Sequence, residues 1–172
     1  MQNIYKVKKA FVIPFSVIVA LLFILFGLSL INGQAWERII LAILCLSTMA
    51  IGVEAARREI LVNEEGLTLK KFFRKKNFIW TEITHLAVVV MKNKAYFLLT
   101  TTKGFYIFSN LIENHVALIQ FLRDKLGLEK VELEVINYLE HPTSRFSLVV
   151  ISWFAVIAIS TIIILKLWLG IK

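Results

Sequence analysis

The sequence predicts an α+β membrane protein, in which three transmembrane helices flank an antiparallel β-barrel or sandwich closed by a C-terminal helix. Three observations predict it. The chain of 172 residues is 58% apolar with a mean hydropathy of +0.75, more than an ordinary soluble domain shows. That excess is concentrated in residues 10–31 and 146–165, which carry no charge over 22 and 20 residues. Between them, from residue 59, the apolar spacing shortens to the alternation of strands, with turn signals about every ten residues.

Each of the two long runs is sufficient to cross a hydrocarbon core of about 30 Å as a helix. A middle run, 39–53, has only 15 uncharged residues. Extending it to 35–56 gives a second span, with Glu37, Arg38 and Glu54 placed where side chains reach headgroups. A cleaved secretory signal would have an apolar core of about 7–15 residues, so 10–31 reads as a span instead. Lys6, Lys8 and Lys9 before the first span, and Arg57 and Arg58 after the second, place the N-terminus and the domain in the cytoplasm and the C-terminus outside. The expected location is a bacterial plasma membrane.

Residues 54–145 hold 14 Lys and Arg against 11 Asp and Glu, a net +3 of the chain's +8, which gives little support to nucleic-acid binding. Residues 59–62 and 67–73 read as a hairpin around 63–66, with Gly66 supplying a positive φ. Arg74 to Asn77 reads as the next turn and 78–80 as the start of a third strand. Residues 83–91, 95–101 and 105–108 follow as strands. Asn110, with Glu113 three residues on, reads as a capping box for a helix carrying Leu111, Leu118, Leu122 and Leu126 on one face and stopped by Gly127. Residues 129–140 suit a strand or a helix equally.

The run ILVNEEGLTL at 60–69, the run FIWTEI at 78–83 and the terminal helix resemble the bacterial pleckstrin-homology-like (PH-like) domains tethered to membrane helices. The resemblance covers roughly 57–127, leaving 128–145 as a linker and 146–168 as the third transmembrane helix. It implies a seven-strand barrel capped by a helix, acting as a binding or scaffolding module without a catalytic site. The third span is a departure from the plain two-span arrangement.

The conspicuous local feature is KKFFRKK at 70–76, where Lys70, Lys71, Arg74, Lys75 and Lys76 make five of seven residues basic. An anionic leaflet attracts each such charge by about 1 kcal/mol. That suits docking on acidic lipid headgroups or an acidic protein partner, and it equally suits a solvated turn that obeys the positive-inside rule. Thr48, Gly52 and Ala56 recur every four residues along the second span, a small-residue stripe for packing on another span, a second copy or a larger complex.

Nothing in the sequence suggests an enzyme. Cys45 is the only cysteine and lies within the second span, and no glycine-rich phosphate loop or serine elbow appears. No metal site or cofactor is expected. His85 falls on a strand and His141 in the linker, while His115 falls within the leucine face, where a hydrogen-bonded core histidine is the simplest account. Trp80 is a core anchor. Uncharged span interiors argue against a transporter. The sequence therefore points to a non-enzymatic, membrane-anchored binding or scaffolding protein, the alternative being an accessory or assembly subunit of a larger membrane complex.

Overall fold

The structure, a computed structural model, describes residues 3–71, 74–144 and 146–170. In chain order the elements are β1 (Asn3–Lys6), α1 (Lys9–Asn32), α2 (Ala35–Arg57), β2 (Glu59–Val62), β3 (Gly66–Lys71), β4 (Arg74–Ile79), β5 (Ile83–Met91), β6 (Lys94–Thr101), β7 (Gly104–Ser109), α3 (His115–Leu126), α4 (Leu133–Glu140) and α5 (Ser147–Gly170). Single 3-10 turns occupy Trp80–Glu82 and Leu128–Lys130. The chain divides into two compact units, one of Lys9–Ala56 with Ser147–Lys172 and one of Met1–Lys8 with Arg57–Phe146.

In the helical unit, α1, α2 and α5 are each long and apolar enough to cross a membrane. Ile18, Leu22 and Cys45 pack with Ala155, Val156 and Ile159, and Leu25 packs with Leu41 and Ile163. The reversal from α1 to α2 is tight. Gly33 N–H donates to the Ser29 carbonyl at 2.8 Å, and a Cβ on Gly33 would lie 2.2 Å from Ser29 Oγ. Arg38 then donates to the carbonyls of Ser29 (3.2 Å) and Gly33 (2.9 Å), satisfying acceptors that the end of α1 leaves over. Glu37 pairs with Lys166. Both of these charges are thus used inside the unit.

The β unit holds two antiparallel sheets, ordered β1-β2-β3-β4 and β5-β6-β7. Their inner faces share one core. Ile60, Val62, Leu67 and Phe78 from the first sheet meet Leu86, Phe97, Leu99 and Phe108 from the second. Leu118, Ile119, Leu122 and Leu126 of α3 pack against the same core, and Gly127 ends that helix at φ +77°.

Several expectations are corrected. The sheets do not join into a closed barrel among the described residues. The third strand stops at Ile79 because Trp80–Glu82 coils into a 3-10 turn, held by the Ile79 N–H donating to the Glu82 carboxylate (3.3 Å) and the Trp80 indole donating to the Glu64 carbonyl (2.9 Å). Arg74 to Asn77 is strand, since Lys71 pairs with Arg74 in the β3–β4 register; 72–73 lie outside the described residues. Gly66 has no positive φ. It is glycine because its α-carbon crowds β4, so that a Cβ would sit 1.9 Å from the Phe78 carbonyl oxygen.

The α3 helix begins at His115 with Asn114 at its cap, leaving Asn110 and Leu111 outside it. Tertiary pairing claims that stretch first: Lys8 N–H donates to the Leu111 carbonyl (3.0 Å), Glu113 N–H donates to the Lys6 carbonyl (2.7 Å), and Ile112 bridges to Val7. Residues 3–8 are accordingly part of the β unit and not a free tail. Residues 133–140 are helix, and the segment expected as a linker contributes Val131, Val135 and Tyr138 to the core.

Candidate functional site

Direct cross-strand pairing in the first sheet aligns Lys6, Glu59, Lys70 and Lys75 in one row across all four strands. Residues directly opposite share a face, so this row is a ladder of charges reading plus, minus, plus, plus. Glu59 accepts from Lys6 and from Lys70, both at 3.0 Å, and these bonds hold its carboxyl below the ordinary range, Lys6 contributing most. One carboxylate therefore serves two ammonium groups. Lys75 stands beyond them, opposite Lys70, on the edge strand.

The other face of the hairpin carries the next cations. Lys71 lies at the register position opposite Arg74. Lys76 donates to the Tyr106 hydroxyl at 2.8 Å, with its ammonium 4.8 Å from the ring centroid, and Tyr106 in turn packs on Phe78 at 4.6 Å. Arg74 and Lys75 are exposed and make no ion pair among the described residues. Like charges placed directly opposite on paired strands repel. The hairpin thus holds one such pair, Lys70–Lys75, in which Lys70 is offset by Glu59 from β2 while neither β3 nor β4 carries an acid.

The place of the hairpin in the β unit matters as much as its charge. Lys6 is three residues before the start of α1, and Glu59 is two residues after the end of α2. With neighbouring strands about 4.8 Å apart, Lys75 lies about 14 Å from Lys6 along the row. The cations therefore end at the edge where the β unit hands the chain to both helices. Sequence reasoning found the hairpin but missed Lys6 and Glu59 as members of its row. Lys6 had a visible signal, being basic and next to a span, but only the β1–β2 register connects it to Glu59.

The small-residue stripe behaves unevenly. A Cβ on Gly52 would lie 2.9 Å from the Phe15 ring, so Gly52 seats α1. Thr48 bonds back to the carbonyls of Leu44 (2.7 Å) and Cys45 (3.1 Å), and Ala56 is exposed.

A second polar cluster occupies the core margin. The buried His115 places Nε2 at 2.8 Å from the Tyr138 hydroxyl, which donates to the Thr143 carbonyl at 3.1 Å. Burial, and then the nearby Lys8, lower the His115 pKa to about 4, so the ring is neutral at ordinary pH. The fully buried Asn110 donates to the carbonyls of Asn93 (3.2 Å) and Thr143 (3.0 Å). These are bonds of packing and connection. His85 pairs with Glu132 at 2.8 Å, and no group of three metal-ligating side chains occurs among the described residues.

The chain matches no protein-family model, no curated protein and no solved structure.

Proposed function

We propose that this protein is a bacterial plasma-membrane protein whose β unit docks, through the β3–β4 hairpin, on the anionic headgroups of the bilayer that holds α1, α2 and α5, acting as a non-enzymatic binding or scaffolding module. The reading rests on one observation: Arg74 and Lys75 of the hairpin have no acid partner among the described residues, and the hairpin's charged row ends at the edge from which the chain continues into α1 and α2. Each lysine or arginine near such a surface contributes about 1 kcal/mol, so Arg74 and Lys75 with their neighbours set the posture of the domain while the apolar helices hold it in place.

The strand pairing of Lys6 with Glu59 supports the orientation. Paired strands occupy one side of a bilayer, so α1 and α2 together make an even number of crossings, and the positive-inside rule makes that side cytoplasmic. The C-terminus then follows α5 to the outside. Six strands within residues 57–127, joined by β1 from residues 3–6 and followed by α3, also suit the PH-like resemblance.

The test uses the full chain in nanodiscs. A single cysteine, Asn77→Cys in a Cys45→Ala background, carries a fluorophore, and doxyl-labelled lipid reports its closeness to the bilayer. Quenching is expected to rise with the anionic lipid fraction and to fall both in high salt and in the Arg74→Gln/Lys75→Gln variant. Quenching that ignores lipid charge would sink the proposal.

A further inference from the structure

The β5–β6 turn is a strand tip that a water-facing surface does not explain. Val89, Val90 and Met91 are consecutive, so they point to both faces of the strand, and all three are exposed, Met91 to 61%. Lys92 and Lys94 follow, exposed and without a partner among the described residues. Lys92 also holds φ at +53°, a left-handed conformation that glycine adopts more cheaply, so a long cation stands where the backbone favours no side chain. Apolar residues beside snorkelling lysines are the composition of a segment that sits in a membrane interface.

The position of the turn is fixed by hydrogen bonds. The Asn93 carbonyl accepts from the Asn110 amide, which also donates to the Thr143 carbonyl. Thr143 is four residues before the first residue of α5, a stretch of at most about 14 Å of chain. On the neighbouring residue, the Leu111 carbonyl accepts from Lys8, one residue before α1. The turn is therefore tied to the points at which the β unit passes the chain to two of its apolar helices.

We propose that Val90, Met91, Lys92 and Lys94 form a second membrane contact, an apolar tip that enters the interface of the same bilayer while its lysines meet lipid phosphates. It rests on the reading of the three helices as bilayer spans but not on the hairpin, and it differs from the hairpin in kind, since apolar insertion is insensitive to salt and charge docking is not.

The full chain in nanodiscs, Cys45→Ala, tests it with single labelled cysteines at Asn93→Cys, at Asn77→Cys for the hairpin, and at Glu65→Cys in the β2–β3 turn at the opposite end of the first sheet. Doxyl-lipid quenching at Asn93→Cys above the Glu65→Cys level, present in zwitterionic lipid and retained in high salt, is the expected result. It should be lost on adding Val90→Asp and Met91→Asp, with hydrogen-exchange protection of β6 unchanged to show an intact fold. Quenching at Asn77→Cys alone would overturn the tip and leave the hairpin, quenching at Asn93→Cys alone would do the reverse, and quenching at neither would overturn both. Persistence of quenching in the aspartate variant would also overturn the tip.

Discussion

Acidification should loosen the β unit through one residue, His115. An ordinary histidine titrates near pH 6.5, whereas burial lowers this one to about 4. As pH falls below 6.5 the unfolded chain takes up a proton that the folded unit refuses, so stability is full above that point and drains away until the folded value is reached. A difference of about 2.5 units at 1.36 kcal/mol each gives about 3 kcal/mol, a large fraction of a domain's net stability. Glu59 and Glu82, whose pKa values are lowered chiefly by bonds from Lys6 and Lys103, act in the same direction only as their own range is reached, below about pH 4.5. The interval from pH 6.5 to 4.5 therefore belongs to the histidine.

Hydrogen exchange of β6, corrected for the intrinsic pH dependence, measures this in the full chain, because the buried Phe97 and Leu99 make β6 a core strand whose exchange reports global opening. The opening free energy should fall by roughly 2–3 kcal/mol between pH 7 and 4.5 and stay nearly flat in His115→Gln, whatever that variant's starting stability. A wild-type slope equal to that of the variant, or a His115 ring that titrates near 6.5 by NMR, would refute the burial argument.

Three further outcomes follow from local geometry. Gly66→Ala should destabilise the β unit by about 1–3 kcal/mol or more, because the added Cβ meets the Phe78 carbonyl at 1.9 Å, while Glu65→Ala next to it should have little effect; thermal unfolding of both compares them. Lys92→Gly should raise stability by about 1 kcal/mol by relieving the positive φ, a gain lost if the turn relaxes without cost and visible in the same unfolding measurement. Glu59→Gln removes the one acid from the Lys6–Lys70–Lys75 row and should cost about 1 kcal/mol in low salt, with much of it recovered in 1 M salt, where screening reaches about 3 Å; a salt-independent loss would mean that Glu59 acts through packing.

The elements that were legible in the sequence are those specified by their own neighbours. Residues 10–31, 35–56 and 146–168 lack interior charge, and the helices Lys9–Asn32, Ala35–Arg57 and Ser147–Gly170 match them closely. The turns at Lys92–Lys94 and Thr102–Gly104 and the stop at Gly127 follow from residue types that suit reversal. The basic hairpin was equally visible as a run, although its residues lie on paired strands and divide between two faces. Residues 110–114 were misread as a helix start because a capping box is a local signal, and the bonds to Lys6, Val7 and Lys8 that override it come from a segment more than 100 residues earlier.

By itself the sequence determined three apolar helices, a strand-rich unit between the second and third, a closing helix and a concentration of positive charge at 70–76, since hydrophobic periodicity, charge and turn chemistry act over a few residues. Only the tertiary structure decided that residues 3–6 are the first strand, that Glu59 must serve two lysines while Lys75 has no acid among the described residues, that Gly66 is dictated by the Phe78 carbonyl and that Val131, Val135 and Tyr138 belong to the core. Each of these depends on which distant backbone lies alongside, a choice made by the burial of a shared core and written in no single stretch of the chain.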